Sequence, residues 1–155
     1  MQLPDIYFYE KYGKLYENIE KGIVDIFNFK NDVGKIYYLF IKREIPLDID
    51  GGPWFDITTP YGYGGPIIIE CEEGYEDELV LAFERSFSEY CKNNKIVSEF
   101  IRFHPIIDNA KVFSSIYSIE HIRNTLGTDL KSYDDPFQEE FSKSARRNNK
   151  KSVEK

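Results

Sequence analysis

Two short stretches gather the side chains whose types and spacing could do chemistry. In the first, Trp54 to Pro66 (WFDITTPYGYGGP), an aromatic and β-branched run gives way to Pro60 and then to Gly62, Gly64 and Gly65. Glycines tolerate positive φ and let a ligand come close to the backbone, while Tyr61 and Tyr63 alternate with them and offer rings that stack and hydroxyls that hydrogen-bond. In the second, Val97 to Pro105 (VSEFIRFHP), strand alternation sets Ser98, Phe100, Arg102 and His104 on one face and Val97, Glu99, Ile101 and Phe103 on the other. Arg102 supplies a planar fork and His104 a group titratable near neutrality, together suited to a carboxylate or phosphate. Asp56, Glu99 and the tyrosines of the turn, Tyr61 and Tyr63, are the weak candidates for a general base, and no spacing singles one out. The plainer reading is a tight β-turn with surface tyrosines, an Arg102 paired with Asp56 or Glu99, and a His104 that satisfies local backbone.

Other chemistries lack their signatures. The chain has no GxSxG, HExxH, Walker loop or dinucleotide-binding fingerprint and no metal-ligand spacing, which disfavours hydrolases, metalloproteases and nucleotide-driven ATPases. Cys71 and Cys91 are the only cysteines and lack a CxxC spacing, so they read as reduced, buried thiols. His121 has no such context and reads as a surface residue. Acyl transfer to an amine asks for less: an activated donor placed beside a deprotonated amine, a group to take the proton, and amides facing the oxyanion.

The elements that must position these residues follow from periodicity. Apolar residues at Phe8, Tyr12, Leu15, Tyr16 and Ile19 predict an amphipathic helix from Asp5 to Ile19. Ile23 to Phe29 and Lys35 to Ile45 predict a hairpin across the turn residues 30–34, and PLDIDGGP (46–53) a loop leading into the strand at Trp54. An extended Ile67 to Ile69 follows the glycines, then the longest helix, Asp77 to Asn94, with Leu79, Phe83, Phe87, Tyr90 and Cys91 on one face. Val97 to Phe103 reads as a strand, HPIIDNAKVF as a turn with one or two turns of helix, Ser115 to Leu130 as a strand, and Asp135 onward as a final helix. The fold class expected is α/β (α+β), a mixed, mostly antiparallel sheet with helices on both faces.

A chain of 155 residues with 12 Tyr and 12 Phe is long enough to bury one aromatic core. No stretch has the roughly 20 apolar residues of a membrane helix, and no basic region followed by an apolar run opens the chain, so a cytoplasmic protein is expected. The net charge of −7 is unevenly spread. Residues 143–155 hold six Lys and Arg against Glu154, a net +5, which leaves −12 on residues 1–142. An acidic body argues against broad nucleic-acid binding by the domain, while the basic tail is suited to phosphates, to an acidic neighbour or to plain solvation.

TPYGYGGP after an aromatic strand, followed about thirty residues later by SEFIRFHP, resembles the FemAB-type, BioF2-like branch of the GNAT acyltransferase superfamily, the bacterial peptidoglycan interpeptide-bridge enzymes. The likeness takes in the aromatic N-terminal helix, GKIYYLFIKREIP and the C-terminal FSKSARRNNKK. It implies a GNAT-like domain over residues 1–133 and a basic helix over 134–155 that opens a second GNAT-like half; the partner of that helix would be this half or another copy of the chain. It also implies transfer of an acyl or aminoacyl group to an amine of a cell-wall or polysaccharide precursor, with acyl-coenzyme A or aminoacyl-tRNA as donor. The superfamily's Arg or Gln with spaced glycines is absent here. Six carboxylates between Glu70 and Glu78 would repel a pyrophosphate, so Tyr61, Gly62, Tyr63, Gly64 and Gly65, with Arg102 and His104, are expected to hold a neutral or amine-bearing sugar or peptide precursor. The competing expectation is a non-catalytic sugar- or peptide-binding module of the same fold.

Overall fold

A computed structural model describes residues 2–48, 50–127, 131–132, 134–135 and 139–153. Two compact units are present, residues 1–120 and 121–155. The first opens with a 3-10 turn (Ile6–Phe8), α1 (Glu10–Lys14) and α2 (Glu17–Glu20), followed by β1 (Gly22–Lys30) and β2 (Gly34–Glu44). Then come β3 (Phe55–Thr58), β4 (Ile67–Cys71), α3 (Glu76–Asn93), β5 (Ile96–Phe100) and α4 (Asn109–Val112). The five strands form one mixed sheet with helices on both faces, an α+β architecture.

The sheet is built around β2. It is buried from Ile36 to Ile41, which explains why the sequence there runs apolar without alternating. One edge of β2 pairs antiparallel with β1 along its whole length, from Gly22↔Arg43 to Lys30↔Lys35. The hairpin turn is set by Asn31, whose Oδ1 accepts the N–H groups of Val33 (3.1 Å) and Gly34 (3.0 Å). The other edge of β2 is shared. Its C-terminal part pairs with β3 (Ile41↔Thr58 to Glu44↔Phe55) and its N-terminal part with β4 (Gly34↔Cys71 to Tyr37↔Ile67). Residues 59–66, the glycine-rich stretch, leave the ladder opposite Tyr38, Leu39 and Phe40. β5 lies parallel to β3 on its far side, reached through β4 and the α3 crossover.

Both sheet faces are packed. Ile36, Tyr38, Phe40 and Ile57 meet Leu79, Val80, Phe83 and Phe87 of α3 in the main core. Each such side chain contributes about 1.5–3 kcal/mol by leaving water. Glu76, Asp77 and Glu78 in the first turn of α3 and Lys92 in its last complement the helix dipole. On the opposite face Phe8, Tyr37, Leu39 and Ile67 form a smaller cluster, tied down by the Tyr37 hydroxyl donating to the Phe8 carbonyl at 3.0 Å.

The continuous helix expected over Asp5 to Ile19 is instead broken into three short pieces. Tyr9 is extended, with φ −85° and ψ 133°, and Lys21 ends α2 in the left-handed region. Of the expected stripe, Phe8 is buried but Leu15 and Ile19 are 69% and 71% exposed. What fixes this segment is Gly13, where a Cβ would lie 2.9 Å from Val24 Cγ2, together with the rings of Tyr7, Tyr12 and Tyr16. The strand expected over Val97 to Phe103 stops at Phe100, because the chain then turns to meet the glycine-rich segment. No strand forms among the described residues of Ser115 to Leu130 (115–127). Ile116 and Tyr117 anchor to the core by side-chain packing, while Ile122 and Leu126 are exposed.

In the second unit the described helix is α5 (Lys143–Val153); of the helix expected from Asp135, residues 136–138 lie outside the described residues, Glu139 is helical with its N–H donating to the Asp135 carbonyl at 3.1 Å, and residues 140–142 separate it from α5. Ser142 explains the start: its Oγ accepts the Ala145 N–H at 3.2 Å, a side-chain cap. Among the described residues no helix is long and apolar enough to cross a membrane.

Candidate functional site

The glycine-rich stretch is held as a frame. The Gly64 N–H donates to the Arg102 carbonyl at 2.8 Å, extending the sheet by one parallel bridge between Gly64 and Phe103. Asn109, 3% exposed at the start of α4, closes the other side. Its Nδ2 donates to the carbonyls of Gly64 (2.8 Å) and Pro66 (3.1 Å), and its Oδ1 accepts the His104 N–H at 2.9 Å. One amide therefore pins the turn to the chain beyond β5. Gly65 has φ +90°, and a Cβ there would sit 2.9 Å from Ile101 Cγ2, so glycine is required twice over. Gly62, at φ +97°, is covered by the Tyr7 ring, which occupies the space a side chain would need. Gly64 has no positive φ; what it supplies is close packing on Thr59.

The two tyrosines of the turn part company. Tyr63 joins an inner aromatic group, its ring centroid 5.5 Å from both Tyr7 and His104. Tyr61 points outward, 66% exposed, with one face stacked on Tyr16 at 5.8 Å and an interplanar angle of 26°. Its backbone is fixed by the Tyr12 hydroxyl, which donates to the Tyr61 carbonyl at 3.0 Å and lies 3.2 Å from the Tyr16 hydroxyl. Burial, then the Tyr16 hydroxyl, raises the Tyr12 pKa, so the Tyr12 phenol stays protonated at neutral pH.

The ionisable candidates are dispersed by the fold. His104 is buried, and its Nδ1 accepts the N–H groups of Ile106 (3.2 Å) and Ile107 (3.4 Å), which places the ring proton on Nε2. That atom faces Asp5 Oδ2 at 3.6 Å, too long for a hydrogen bond. Arg102 pairs with neither Asp56 nor Glu99. Its Nη1 donates to the Thr59 carbonyl at 3.3 Å, its backbone N–H donates to Thr59 Oγ1 at 3.2 Å, and its guanidinium lies 5.4 Å from the Phe100 ring centroid.

Asp56 is held by Arg43 in a two-pronged contact, Nε to Oδ1 at 2.8 Å and Nη2 to Oδ2 at 2.9 Å, with Glu20 3.2 Å from Nη1 on the other side. Glu99 faces the α3 core, where burial raises its pKa and the Tyr117 hydroxyl donates to Oε1 at 3.2 Å. Tyr38, fully buried, approaches Glu99 without completing a hydrogen bond. Cys91 nearby is pushed up to about 12, by burial and then by the Glu99 charge, so its thiol is unreactive.

Tyr61, Gly62, Tyr63, Gly64, Gly65, Arg102 and His104 are thus contiguous, while Asp56 and Glu99 are engaged elsewhere. Sequence reasoning missed Tyr7, Tyr16 and Asn109, which complete the frame. Only the proximity of Asn109 to HP hinted at a role, since Asn often bonds local backbone. Two open clefts, about 320 Å³ beside Asn31, Lys35 and Glu70 and about 430 Å³ beside Leu3, Pro4 and Ile68, do not include the turn. Among the described residues no three His, Cys, Asp or Glu converge to hold a metal. His121 is exposed, 3.0 Å from Asn124. The arrangement can stack a flat or ring-shaped group on Tyr61 and present fixed backbone groups beside it; Asp56 and Glu99 are not part of it. Compared with known protein families, with curated proteins and with solved structures, the chain matches none of them.

Proposed function

We propose that this chain is the acceptor-recognition unit of a GNAT/FemAB-like acyl- or aminoacyl-transferase, binding a saccharide or peptide precursor whose amine receives the group. The observation that carries the reading is the rigid Tyr–Gly frame, inserted where β3 and β4 share an edge of β2, with Tyr61 immobilised yet exposed. An aromatic ring ordered before binding loses little entropy when a sugar or peptide plane stacks on it. The α3 crossover to a parallel β5 supports the likeness stated above, and the acidic stretch from Glu70 favours a cationic amine over a phosphate. Acyl-coenzyme A or aminoacyl-tRNA would be the donor.

A second reading, a binding module without catalysis, is favoured by one observation: both acidic candidates for a base are committed, Asp56 to Arg43 and Glu99 to the core. Calorimetry with an amine-bearing disaccharide-peptide tests binding. Saturable heat that Tyr61→Ala weakens at least about fivefold, roughly 1 kcal/mol, is the expected result; no heat, or heat indifferent to Tyr61, overturns it. Turnover of acyl-coenzyme A with the same acceptor then separates the two readings: acylation of the amine supports transfer, and saturable binding with no turnover leaves the binding module.

A further inference from the structure

The helix α5 (KSARRNNKKSV) sorts its residues sharply by side. At 100° per residue, Lys143, Arg146, Arg147, Lys150 and Lys151 fall within one arc of about 140°, while Ser144, Ala145, Asn148, Asn149 and Ser152 occupy the rest. Lys143, Arg147, Lys150 and Lys151 are exposed, and the helix contains no acidic residue. Two like-charged pairs of exposed side chains at i, i+4 (Lys143 with Arg147, Arg147 with Lys151) repel one another along this face. The Ser142 cap and the C-terminal lysines favour helix, but the neutral face has almost nothing apolar to bury. The four exposed cations concentrate a positive charge that a partner of dense negative charge would offset.

We propose that the cationic face of α5 binds the phosphate backbone of double-stranded DNA without reading its sequence. The four exposed cations, from Lys143 to Lys151, span a rise of about 12 Å. A duplex carries one negative charge per about 1.7 Å, hence about seven over that length, whereas one strand alone offers about half as many. A lipid surface fits less well, because a helix that lies in a bilayer interface needs an apolar face to insert, and Ala145 does not make one. The inference is independent of the transfer reading and concerns residues outside the Tyr–Gly frame.

The test is fluorescence anisotropy of a labelled 20-base-pair DNA of arbitrary sequence with the full chain. The expected result is binding at 50 mM salt that weakens about 100-fold by 200 mM, the slope for about four phosphates. Replacing Arg147→Gln, Lys150→Gln and Lys151→Gln together should lower affinity at least tenfold. Gln is nearly as good a helix former, so the far-UV circular dichroism should not change. Absence of binding at 50 mM salt, or equal binding by the triple variant, overturns the proposal. So does equal affinity for the matching single strand, or tighter binding to phosphatidylglycerol vesicles than to the duplex.

Discussion

Replacing Asn109 by alanine strips three hydrogen bonds from a buried site at once, leaving the carbonyls of Gly64 and Pro66 and the N–H of His104 without their partner. Asn109→Ala should therefore cost about 2–4 kcal/mol in urea unfolding, and it should loosen the turn before the sheet, seen as faster hydrogen exchange at Gly64. An unchanged midpoint would mean that the amide is dispensable to the frame. Glu99 makes a second residue-scale test through pH. Burial raises its folded pKa, so the folded state holds a proton that the unfolded chain releases, and stability falls as pH rises through the ordinary carboxyl range towards the raised value. Glu99→Gln keeps the shape and removes this loss. The variant should gain stability relative to the parent between acid and neutral pH and show no relative gain below the ordinary carboxyl range, as thermal melts across pH would reveal.

At the scale of elements, β1, β2 and α3 were legible because their signals are local: Asn31 to Gly34 turns the hairpin, and Leu79, Phe83 and Phe87 recur at helical spacing. The N-terminal helix was misread because its stripe counted Leu15 and Ile19 as core, whereas buried Gly13 decides how the segment lies on Val24 and Leu39. The shared edge of β2 was invisible in sequence, since nothing local says that β3 and β4 lie along one line. The same holds for Asp56, whose partner Arg43 comes from β2 and is shared with Glu20 of α2. That network joins three elements at a partly exposed site, so Asp56→Asn should lower stability by only about 1 kcal/mol in chemical denaturation. A loss of several kcal/mol would show the network to be far more shielded from solvent than its exposure indicates.

Over the whole molecule, charge is unevenly divided between the two units. Residues 1–120 hold 12 Lys and Arg against 21 Asp and Glu, a net −9, whereas residues 121–155 hold 8 against 6, a net +2. The acidic unit carries the Tyr–Gly frame and suits an amine-bearing ligand, and the basic helix suits a polyanion. The candidate site was half legible: the glycines and tyrosines announced a turn open to a ligand, but Tyr7, Tyr16 and Asn109 reach it only through folding, from positions as far off in sequence as 7 and 109. The central claim is that Tyr61, stacked on Tyr16, receives a saccharide or peptide acceptor. Nuclear magnetic resonance titration of the labelled chain with an amine-bearing disaccharide-peptide tests it most directly. Shifts confined to Tyr16, Tyr61, Gly62 and their neighbours, lost in Tyr61→Ala, are the result expected; shifts centred on the Asn31–Lys35–Glu70 cleft, or none at all, would contradict it.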